Sequence, residues 1–489
     1  MSEDAAAADG RPIPGWAALI PVVALVGFLS LFILVLPERY EGFEGTGHLP
    51  LLLAAAVGGL VARAYGWRWS VLDAGIRKAI SMAMSAMLIL LVIGILMGSW
   101  LVSGVVPALV DWGLSLLSPR FFLPTVCAVC SVVSLVSGSS WSTAGTVGIA
   151  MIGIGGALGV DPAMTAGAVI SGAYFGDKLS PMSDTTNLAP AMAGAELFEH
   201  IRHQLLTTGP AWVIAMVVYT VLSLGGETNV DAAGVDVIQS AIRTSYDPGL
   251  VHLIPPAVVL ALVLRRQPAL PTLLTGAALG AGLALARGQG ADAVINAALS
   301  GHAADTGNAA VDDLLSRGGM LEMSSTVILI LCAMSFGGVM ERTGMLQTLA
   351  NRLLKLAKST GSLIAVTVST AAGINIIAGD QYISIVVPGR MYGAAFAEQG
   401  LHPKNLSRAI EDGGTITSPL IPWNTCGAFM SGTLMVATGA YLPYAVLNYV
   451  NPLISILYGF LGITMTKRPV SATKPDAAAE GAAQDSVAR

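Results

Sequence analysis

The stretch Ser171–Pro190, SGAYFGDKLSPMSDTTNLAP, places Asp177, Lys178 and Asp184 in a chain that is otherwise strongly apolar. The 489 residues are 54% hydrophobic and only 11% charged, with a mean hydropathy of +0.71. Soluble proteins of ordinary composition carry about 25% charged residues. The composition therefore predicts a polytopic membrane protein, in which this polar stretch interrupts a membrane-spanning helix.

Ser171–Pro190 combines glycine, proline and a run of hydroxyl side chains, and a second stretch, Glu411–Gly427 (EDGGTITSPLIPWNTCG), has the same character. Backbone that leaves a helix at membrane depth needs polar partners and persists only where it lines a cavity inside the protein. Freed carbonyls, hydroxyls and carboxylates are hard oxygen ligands, which suit a small alkali cation. The two stretches therefore predict broken helices that line an ion-binding site.

A further polar interruption precedes each predicted break, at Ser134–Thr146 and at Asn375–Ser384. The apolar arms around the first interruption, Phe122–Val136 and Ala144–Leu158, are about 15 residues long, which is short for full membrane spans. Each interruption is therefore predicted to form the polar tip of a re-entrant hairpin.

The two halves of the chain align weakly when the sequence is shifted by 240 residues, a register that pairs Asp184 with Asn424. Basic residues collect in the cytoplasmic loops of membrane proteins. The first unit follows a basic loop, Arg63–Lys78, whereas the second follows an acidic loop, Gly288–Met323. Two similar units inserted in opposite orientations are typical of secondary transporters, although chance similarity between two Gly/Ser-rich apolar stretches is the alternative.

These patterns predict an all-α polytopic membrane protein with two inverted repeats, re-entrant hairpins and broken helices, comprising about 10 full crossings and two hairpins. Loop charges place both termini in the cytoplasm, with the chain in the inner membrane. The amphipathic stretch Glu196–Leu206 is expected to lie as a helix on the membrane surface. The predicted segments are an N-terminal tail (1–15), N-terminal transmembrane helices (16–72), a first repeat (73–225), linking loops and helices (226–323), a second repeat (324–466) and a disordered cytoplasmic tail (467–489).

Charged side chains inside the predicted membrane region are candidate functional residues, because a charge at the bilayer centre costs roughly 2.5–3.5 kcal/mol on insertion scales. Asp184 ranks first because hydroxyls flank it, although it could instead cap a helix, as could Asp380. Lys178 could pair locally or extend to the interface, and Arg390 and Arg408 could be anchors. The candidate Na⁺-binding or proton-coupling residues are Asp177, Ser183, Asp184, Thr185, Thr186, Asn187, Asp380, Glu411, Asp412, Thr415, Thr417, Asn424 and Thr425, and the candidate hairpin-tip residues are Ser137, Ser139, Ser140 and Thr143.

The motifs GDKLSPMSDTTNLAP, AGDQYISIVVPGRMY and SRAIEDGGTITSPLIPWNTCGAFM together resemble the NhaC-type sodium/proton antiporter family, from Ser81 to Thr466. That family belongs with an ion-transporter superfamily that includes citrate and dicarboxylate carriers. The resemblance implies a scaffold and a moving transport domain, often in a homodimer with elevator-like motion, and cations bound where hairpin tips meet unwound helices. In this chain those places are Ser137–Thr143 with Asp177–Asn187, and Ala378–Ser384 with Glu411–Thr425.

The leading functional hypothesis is a secondary active antiporter that exchanges Na⁺, or Li⁺, for H⁺ across the membrane by alternating access. The alternative is a carboxylate exchanger of the malate/lactate type, for which Lys178, Arg390 and Arg408 are the candidate anion anchors. A passive channel and an intramembrane protease are further alternatives, although no partner residue supports a protease site in GAYFGD or SGSS. The expected partners are small ions, the lipid bilayer and a second copy of the chain. No nucleic-acid binding, cofactor or enzymatic activity is expected.

Overall fold

The structure, a computed structural model, describes residues 10–40, 46–116, 118–225, 232–265 and 267–468. Regular secondary structure in these ranges is helical, apart from an isolated antiparallel bridge between Leu401 and Lys467. The all-α prediction is confirmed for this part of the chain. The predicted disordered tail beyond Arg468 lies outside the described residues, as do most of the predicted N-terminal tail and residues 226–231 of the linking segment.

The first half of the chain, up to Gly225, contains α1 to α10, of which α3 is the longest described helix at 34 residues. These helices are α1 (Gly15–Ser30, continued through Leu31–Val35 and Leu36–Arg39), α2 (His48–Ala64), α3 (Trp69–Val102), α4 (Val105–Leu116), α5 (Phe122–Ser137), α6 (Ser140–Thr143, continued through Ala144–Gly148), α7 (Ile149–Ala157), α8 (Pro162–Leu179), α9 (Asp184–Ala193) and α10 (Leu197–Gly225).

The remaining described helices are α11 to α23, and α11 to α15 link the two halves. They are α11 (Ala232–Tyr246), α12 (Ile254–Leu264), α13 (Ala269–Ala286), α14 (Ala291–Ser300), α15 (Ala309–Leu315), α16 (Ser324–Arg342), α17 (Met345–Leu354), α18 (Thr360–Ala378), α19 (Gln381–Glu398), α20 (Pro403–Gly413), α21 (Thr425–Leu434), α22 (Thr438–Tyr441) and α23 (Val446–Leu461).

Six described helices are long and apolar enough to cross a membrane, and two bent helix pairs bring this number to as many as eight. The bent pairs are Val237–Tyr246 with Leu250–Leu264, at 93°, and Thr438–Tyr444 with Val446–Leu461, at 58°. The six single helices are Gly15–Arg39, α3, α10, α13, α16 and α18. The described helices thus agree with a polytopic membrane protein, whereas the count of about 10 crossings stays a prediction.

Each predicted hairpin tip is a helix break at a glycine. Gly138 follows α5 with φ of 69° and Gly379 follows α18 with φ of 67°, in the left-handed region that favours glycine. The next residue, Ser139 or Asp380, has extended backbone, and its side chain accepts hydrogen bonds from the first turn of the following helix. The arms α18 and α19 contain 19 and 18 residues, which is long enough to span the membrane, so re-entry stays a prediction.

Both predicted helix breaks are present. The segment Ser180–Ser183 separates α8 from α9, and Gly414–Asn424 separates α20 from α21. The second break is longer and contains a short 3₁₀ turn at Ser418–Leu420. In the first break Ser180–Pro181 directly follows α8, where the missing proline N–H and the altered backbone prevent the helix from continuing. In the second break Ser418–Pro419 lies in the 3₁₀ turn, beyond the end of α20 at Gly413.

Some helix ends and glycines recur in the two halves at nearly the same offset in sequence. Gly104 and Gly344, both with positive φ, lie 240 residues apart, whereas α9 and α21, each of 10 residues, begin and end 241 residues apart. The 240-residue register, with its pairing of Asp184 and Asn424, stays a prediction. The opposite orientation of the two units stays a prediction.

The stretch Glu196–Leu206 is not a separate surface helix, so that prediction is wrong. Leu197–Gly225 is one helix of 29 residues, and its first turns carry His200, His203 and Gln204 fully or almost fully buried. The polar face of this stretch contacts polar side chains of α20 rather than water. Amphipathic periodicity identifies a polar face, but it does not tell whether water or another helix covers that face.

Glycines allow α5 and α8 to pack closely around the first hairpin. A Cβ atom at Gly172 would lie 2.3 Å from the carbonyl oxygen of Cys127, and one at Gly176 would lie 2.3 Å from the carbonyl oxygen of Ser131. Small residues at helix interfaces permit this backbone approach in membrane proteins. The contact holds the helix that carries Asp177 against the arm that leads to the tip.

Gly176→Ala is expected to destabilise the fold by about 1–3 kcal/mol, because the new methyl group would displace the α5 backbone. The apparent melting temperature of the detergent-purified protein measures this effect. Gly282→Ala in α13 is the matched control, since a Cβ atom there has no neighbour within 4 Å and alanine favours a helix over glycine. Equal melting temperatures for the two variants would contradict the close packing of α5 on α8.

Candidate functional site

The first hairpin tip, the first helix break and the start of α19 meet around a cavity of about 370 Å³. Two carboxylates, Asp177 and Asp184, line this cavity together with many hydroxyl groups. Among the described residues that line it there is no lysine, arginine or histidine. The polar lining residues are Ser85, Ser137, Ser139, Ser140, Ser142, Asp177, Ser183, Asp184, Thr185, Gln267, Gln381 and Tyr382.

Asp177 joins the first break to the first hairpin tip. Its Oδ2 accepts hydrogen bonds from Ser140 N, at 3.2 Å, and from Ser140 Oγ, at 2.6 Å. The residue is only 8% exposed, although it lines the cavity. The predicted meeting of the residues Ser137–Thr143 with Asp177 is therefore present, and it places a largely buried carboxylate at the cavity wall.

Asp184, which ranks first on sequence grounds, is the first residue of α9 and has an exposed side chain in the cavity wall. It does not cap α9, because Ser183 does: Ser183 Oγ accepts a hydrogen bond from Thr186 N at 3.4 Å. Thr185 Oγ1 lies 3.1 Å from the same Ser183 Oγ. Asp184 is thus a solvated carboxylate at a helix N-terminus, where the helix dipole favours negative charge.

A dry polar cluster lies beside the cavity and begins with an ion pair between Lys178 and Asp412, both of which are fully buried. Asp412 Oδ1 also accepts a hydrogen bond from Asn451 Nδ2 at 2.7 Å, and its Oδ2 accepts one from Thr207 Oγ1 at 3.2 Å. Lys178 therefore compensates a carboxylate of the second half of the chain and does not itself line the cavity.

Glu411 forms the second part of this cluster. Its Oε2 lies 2.8 Å from His200 Nε2 and accepts a hydrogen bond from Gln204 Nε2. Its Oε1 accepts a hydrogen bond from Thr186 Oγ1 at 3.3 Å. The sequence-predicted residues Thr186 and Glu411 are thus brought together, but at a place remote from bulk water.

Sequence reasoning missed Gln204, Thr207 and Asn451, and it did not place His200 among the site residues. His200, Gln204 and Thr207 lie at spacings of four and three residues, so they form one polar stripe along α10. That stripe, directly preceding the apolar part of a 29-residue helix, is the signal that could have found them. Asn451 is a single amide in an apolar helix and offers no comparable pattern.

Asp380 is a helix cap rather than a cavity ligand. Its Oδ1 accepts hydrogen bonds from Tyr382 N, at 2.9 Å, and Ile383 N, at 3.1 Å, at the start of α19. Ser139 has the same role in the first tip, since its Oγ accepts from Ser142 N at 3.1 Å. The capping alternative that the sequence left open for Asp380 is therefore the one that the structure supports.

The second break is stabilised by amide side chains that hold its backbone. Asn375 Nδ2 donates to the carbonyl oxygen of Gly414 at 2.5 Å and to Thr417 Oγ1 at 3.1 Å. Asn424 caps α21 by accepting from Cys426 N at 3.0 Å. The predicted site residues Thr415, Thr417, Asn424 and Thr425 are all buried, and none of them lines the cavity.

The remaining candidates lie away from the cavity or serve the local backbone. Arg390 is exposed on α19, and the fully buried Arg408 donates to Thr464 Oγ1 at 2.7 Å. Asn187 is exposed and donates to the carbonyl oxygen of Ser183 at 2.7 Å. Thr143 is buried and donates to the carbonyl oxygen of Ser139 at 2.9 Å. Neither arginine lines the cavity, where an anion anchor would be needed.

Comparison with known proteins identifies the family in which this arrangement occurs. The model of the Na⁺/H⁺ antiporter family matches residues 172–463, a range that includes both helix breaks. The chain belongs to the Na⁺/H⁺ antiporter family. As a member of this family with several apolar helices, it is a multi-pass membrane protein, and the resemblance seen in its motifs is confirmed.

The names of the relatives differ in the substrates that they mention. The chain is 36% identical to the Na(+)/H(+) antiporter NhaC of Alkalihalophilus pseudofirmus, over 87% of this chain and 93% of that protein. It is 36% identical to the arginine/ornithine antiporter ArcD of Halobacterium salinarum, over 94% of each chain. It is also 36% identical to the malate-2H(+)/Na(+)-lactate antiporter of Bacillus subtilis, over 85% of this chain and 90% of that protein.

Lys178→Met is expected to destabilise the antiporter by about 3–5 kcal/mol, because the Asp412 carboxylate would stay buried without its counter-charge. The double variant Lys178→Met/Asp412→Asn should recover part of this loss, since a neutral amide needs no counter-charge. The apparent melting temperatures of the single and double variants in detergent measure the coupling between the two side chains.

Lys78→Met is the matched control for this cycle. Lys78 Nζ lies 3.5 Å from Glu341 Oε1, and the lysine side chain is 64% exposed. Exposed ion pairs contribute about 0–1 kcal/mol, so this variant should melt close to the wild type. If the destabilisation of the double variant equalled the sum of the destabilisations of its two single variants, Lys178 and Asp412 would not be energetically coupled.

Proposed function

We propose that this antiporter exchanges Na⁺ for H⁺ and binds Na⁺ in the cavity beside Asp177 and Asp184. The observation that carries the proposal is the chemistry of the lining: two carboxylates and a ring of hydroxyls, with no cationic side chain among the described lining residues. Oxygen ligands of this kind suit a hard alkali cation. The family membership of the chain supports the same exchange.

Asp177 and Asp184 have different tasks in this proposal. Asp177 is largely buried and fixed by Ser140, so it provides a preorganised ligand. Asp184 is exposed in the cavity wall, so it attracts a hydrated cation into the cavity before that cation loses its water. Hydroxyls of the first tip complete the coordination as water is lost.

In this proposal the antiporter works by alternating access, in which the ion site opens to one side of the membrane at a time. The recurrence of the tip caps and of a 10-residue helix after each break supports an internal repeat, and the loop charges support opposite insertion of the two units. The antiporter would then work as a homodimer in the inner membrane with elevator-like motion and cytoplasmic termini. Li⁺ is a second possible substrate, since it is also a hard alkali cation.

An organic carboxylate is the second candidate substrate. The cavity volume of about 370 Å³ falls in the range of small-molecule pockets, about 300–1,000 Å³. The relative named for malate and lactate exchange makes this candidate relevant. None of the three candidate cations is placed to bind a carboxylate substrate in the cavity. Lys178 is paired with Asp412, and neither Arg390 nor Arg408 lines the cavity.

Asp177→Asn is expected to abolish Na⁺-driven proton movement and labelled Na⁺ uptake in proteoliposomes, because the amide keeps the size but loses the charge of the buried ligand. A pH-sensitive dye inside the vesicles measures the first activity. Asp292→Asn, at an exposed position in α14, is the control and should transport like the wild type. Full activity of Asp177→Asn would remove this residue from the Na⁺ site.

The substrate can be assigned with wild-type proteoliposomes that contain no other carrier. We expect outward proton movement on addition of Na⁺ or Li⁺, and none on addition of K⁺ or of malate as a K⁺ salt. Uptake of labelled malate in exchange for internal lactate would instead favour the carboxylate exchanger. Na⁺ flux that ignored an imposed pH gradient would favour a passive channel.

A further inference from the structure

His200 and Glu411 form a buried titratable pair that the cation cavity does not use. Both side chains are fully buried, and neither lines the cavity. His200 Nε2 lies 2.8 Å from Glu411 Oε2, and His200 Nδ1 lies 2.8 Å from Ser407 Oγ. Two ionisable groups in direct contact, away from water and from the ion-binding cavity, need an explanation beyond packing.

The hydrogen bonds around His200 determine how many protons the pair holds. Ser407 Oγ donates to the carbonyl oxygen of Lys404, at 3.1 Å, so it accepts from Nδ1–H of His200. With Nδ1 protonated, a further proton on Nε2 or on Oε2 can join these two atoms; without it, the Gln204 amide, which contacts both His200 Nε2 and Glu411 Oε2, can donate to each of them. The arrangement therefore accommodates either a neutral imidazole beside a carboxylate or the same pair with one more proton.

Loss of that proton leaves the polar contacts of the ring with partners. Nδ1–H still donates to Ser407 Oγ, and the Gln204 amide donates to Nε2 and to Glu411 Oε2. The two groups therefore have hydrogen-bond partners before and after the change. Because an unpaired buried polar group costs about 1–3 kcal/mol, a pair that stays satisfied in both states can bind and release a proton reversibly.

A further buried cation, Arg408, lies near this pair. Lys178 and Asp412 compensate each other, whereas the guanidinium of Arg408 donates to the neutral hydroxyl of Thr464. The helices α5, α18 and α23, which also pack against α10 or α20, contain no Asp, Glu, Lys or Arg. The charged or titratable groups near the pair are Asp177 and Lys178 on α8, His203 on α10, Lys404, Arg408 and Asp412 on α20, and Tyr458 on α23, and Lys404 pairs with Glu199 of α10. Asp184 of α9 faces the cavity, and Arg390 and Glu398 of α19 are exposed.

Thr186 connects the pair to the cation cavity. Its hydroxyl has one proton and three acceptors within reach: Glu411 Oε1 at 3.3 Å, the carbonyl oxygen of Lys178 at 3.0 Å and that of Asp177 at 3.2 Å. A negatively charged Glu411 attracts this proton more strongly and so releases the two carbonyls of the first break. Thr186 lies next to the cavity-lining residues Asp184 and Thr185 on α9.

We propose that His200 and Glu411 together bind the exchanged proton, at a site separate from the Na⁺ cavity and linked to it by Thr186. This inference rests on the proposed Na⁺/H⁺ exchange and assigns its proton to a second site, rather than to the carboxylates that bind Na⁺. Removing the proton site should therefore abolish proton coupling and leave Na⁺ binding and Na⁺ movement in place.

The test uses His200→Gln and Glu411→Gln in proteoliposomes of the full chain, with two readouts for each variant. One is the exchange of labelled external Na⁺ for internal Na⁺ at equal pH, and the other is proton movement driven by a Na⁺ gradient. Both variants are expected to keep the first activity and to lose the second to the level of empty vesicles. His203→Gln, one turn along α10 and outside the pair, should keep both activities.

The outcomes separate this inference from the function on which it rests. Wild-type proton movement in His200→Gln or Glu411→Gln would overturn the proton site. Loss of both activities in variants that elute as monodisperse protein would overturn its separation from the Na⁺ site. Absence of labelled Na⁺ exchange in the wild type would instead overturn the proposed function itself, and the proton site with it.

Ser407→Ala provides a milder variant if the two others do not fold. In the proton-loaded state Ser407 accepts from a charge-assisted donor, whereas in the other state it accepts from a neutral ring, so its removal weakens the loaded state more. The pH dependence of Na⁺-driven proton movement should then shift by about one pH unit towards acid. An unchanged pH profile would overturn the assignment, since a purely structural serine would not affect it.

Discussion

The buried ion pair between Lys178 and Asp412 is the interaction on which the polar interior of this antiporter depends. Each partner would be prohibitively costly alone, and together they join the broken helix of the first half to that of the second. Successive residues on a helix point about 100° apart. Once Lys178 and Asp412 face each other, their neighbours Asp177 and Glu411 are directed to other surfaces, Asp177 to the cavity and Glu411 to α10.

This arrangement divides the interior into a wet part and a dry part. The wet part is the cavity, where carboxylates and hydroxyls can replace the hydration shell of a cation. The dry part is the cluster around Glu411, where every charged group has a specific partner. Helix α9 borders both, because Asp184 and Thr185 line the cavity and Thr186 contacts Glu411. A movement of this short helix would affect both parts at once.

The hairpin tips show that polar side chains in an apolar chain can have a structural role, which is to accept hydrogen bonds from backbone N–H groups. Ser139 and Asp380 occupy equivalent positions after a left-handed glycine and cap the helix that follows. Their side chains satisfy N–H groups that water would otherwise have to reach. Because the caps are made by these residues, the neighbouring Ser140 keeps its hydroxyl for Asp177.

Much of the fold could be predicted from the sequence, because local chemistry decides it. Glycine, proline and hydroxyl clusters mark the two breaks and the two tips, and the contact between Ser140 and Asp177 follows from their convergence. Burial could not be predicted in the same way: Asp184 is exposed, while the polar face of α10 is covered by α20. Such differences depend on which helices pack together.

Helix α3 has a consequence for how this protein responds to its membrane. Its 34 residues extend for about 50 Å, whereas the hydrocarbon core is about 30 Å thick. Helices in membranes tilt by at most about 40°, which does not absorb such an excess. Its first turns, with the exposed Arg77 and Lys78, therefore project into the aqueous phase and pair there with charged neighbours. Since α3 also packs against α13, α14, α16 and α21, these neighbours set its tilt, and a change in that tilt would act on both halves of the transporter.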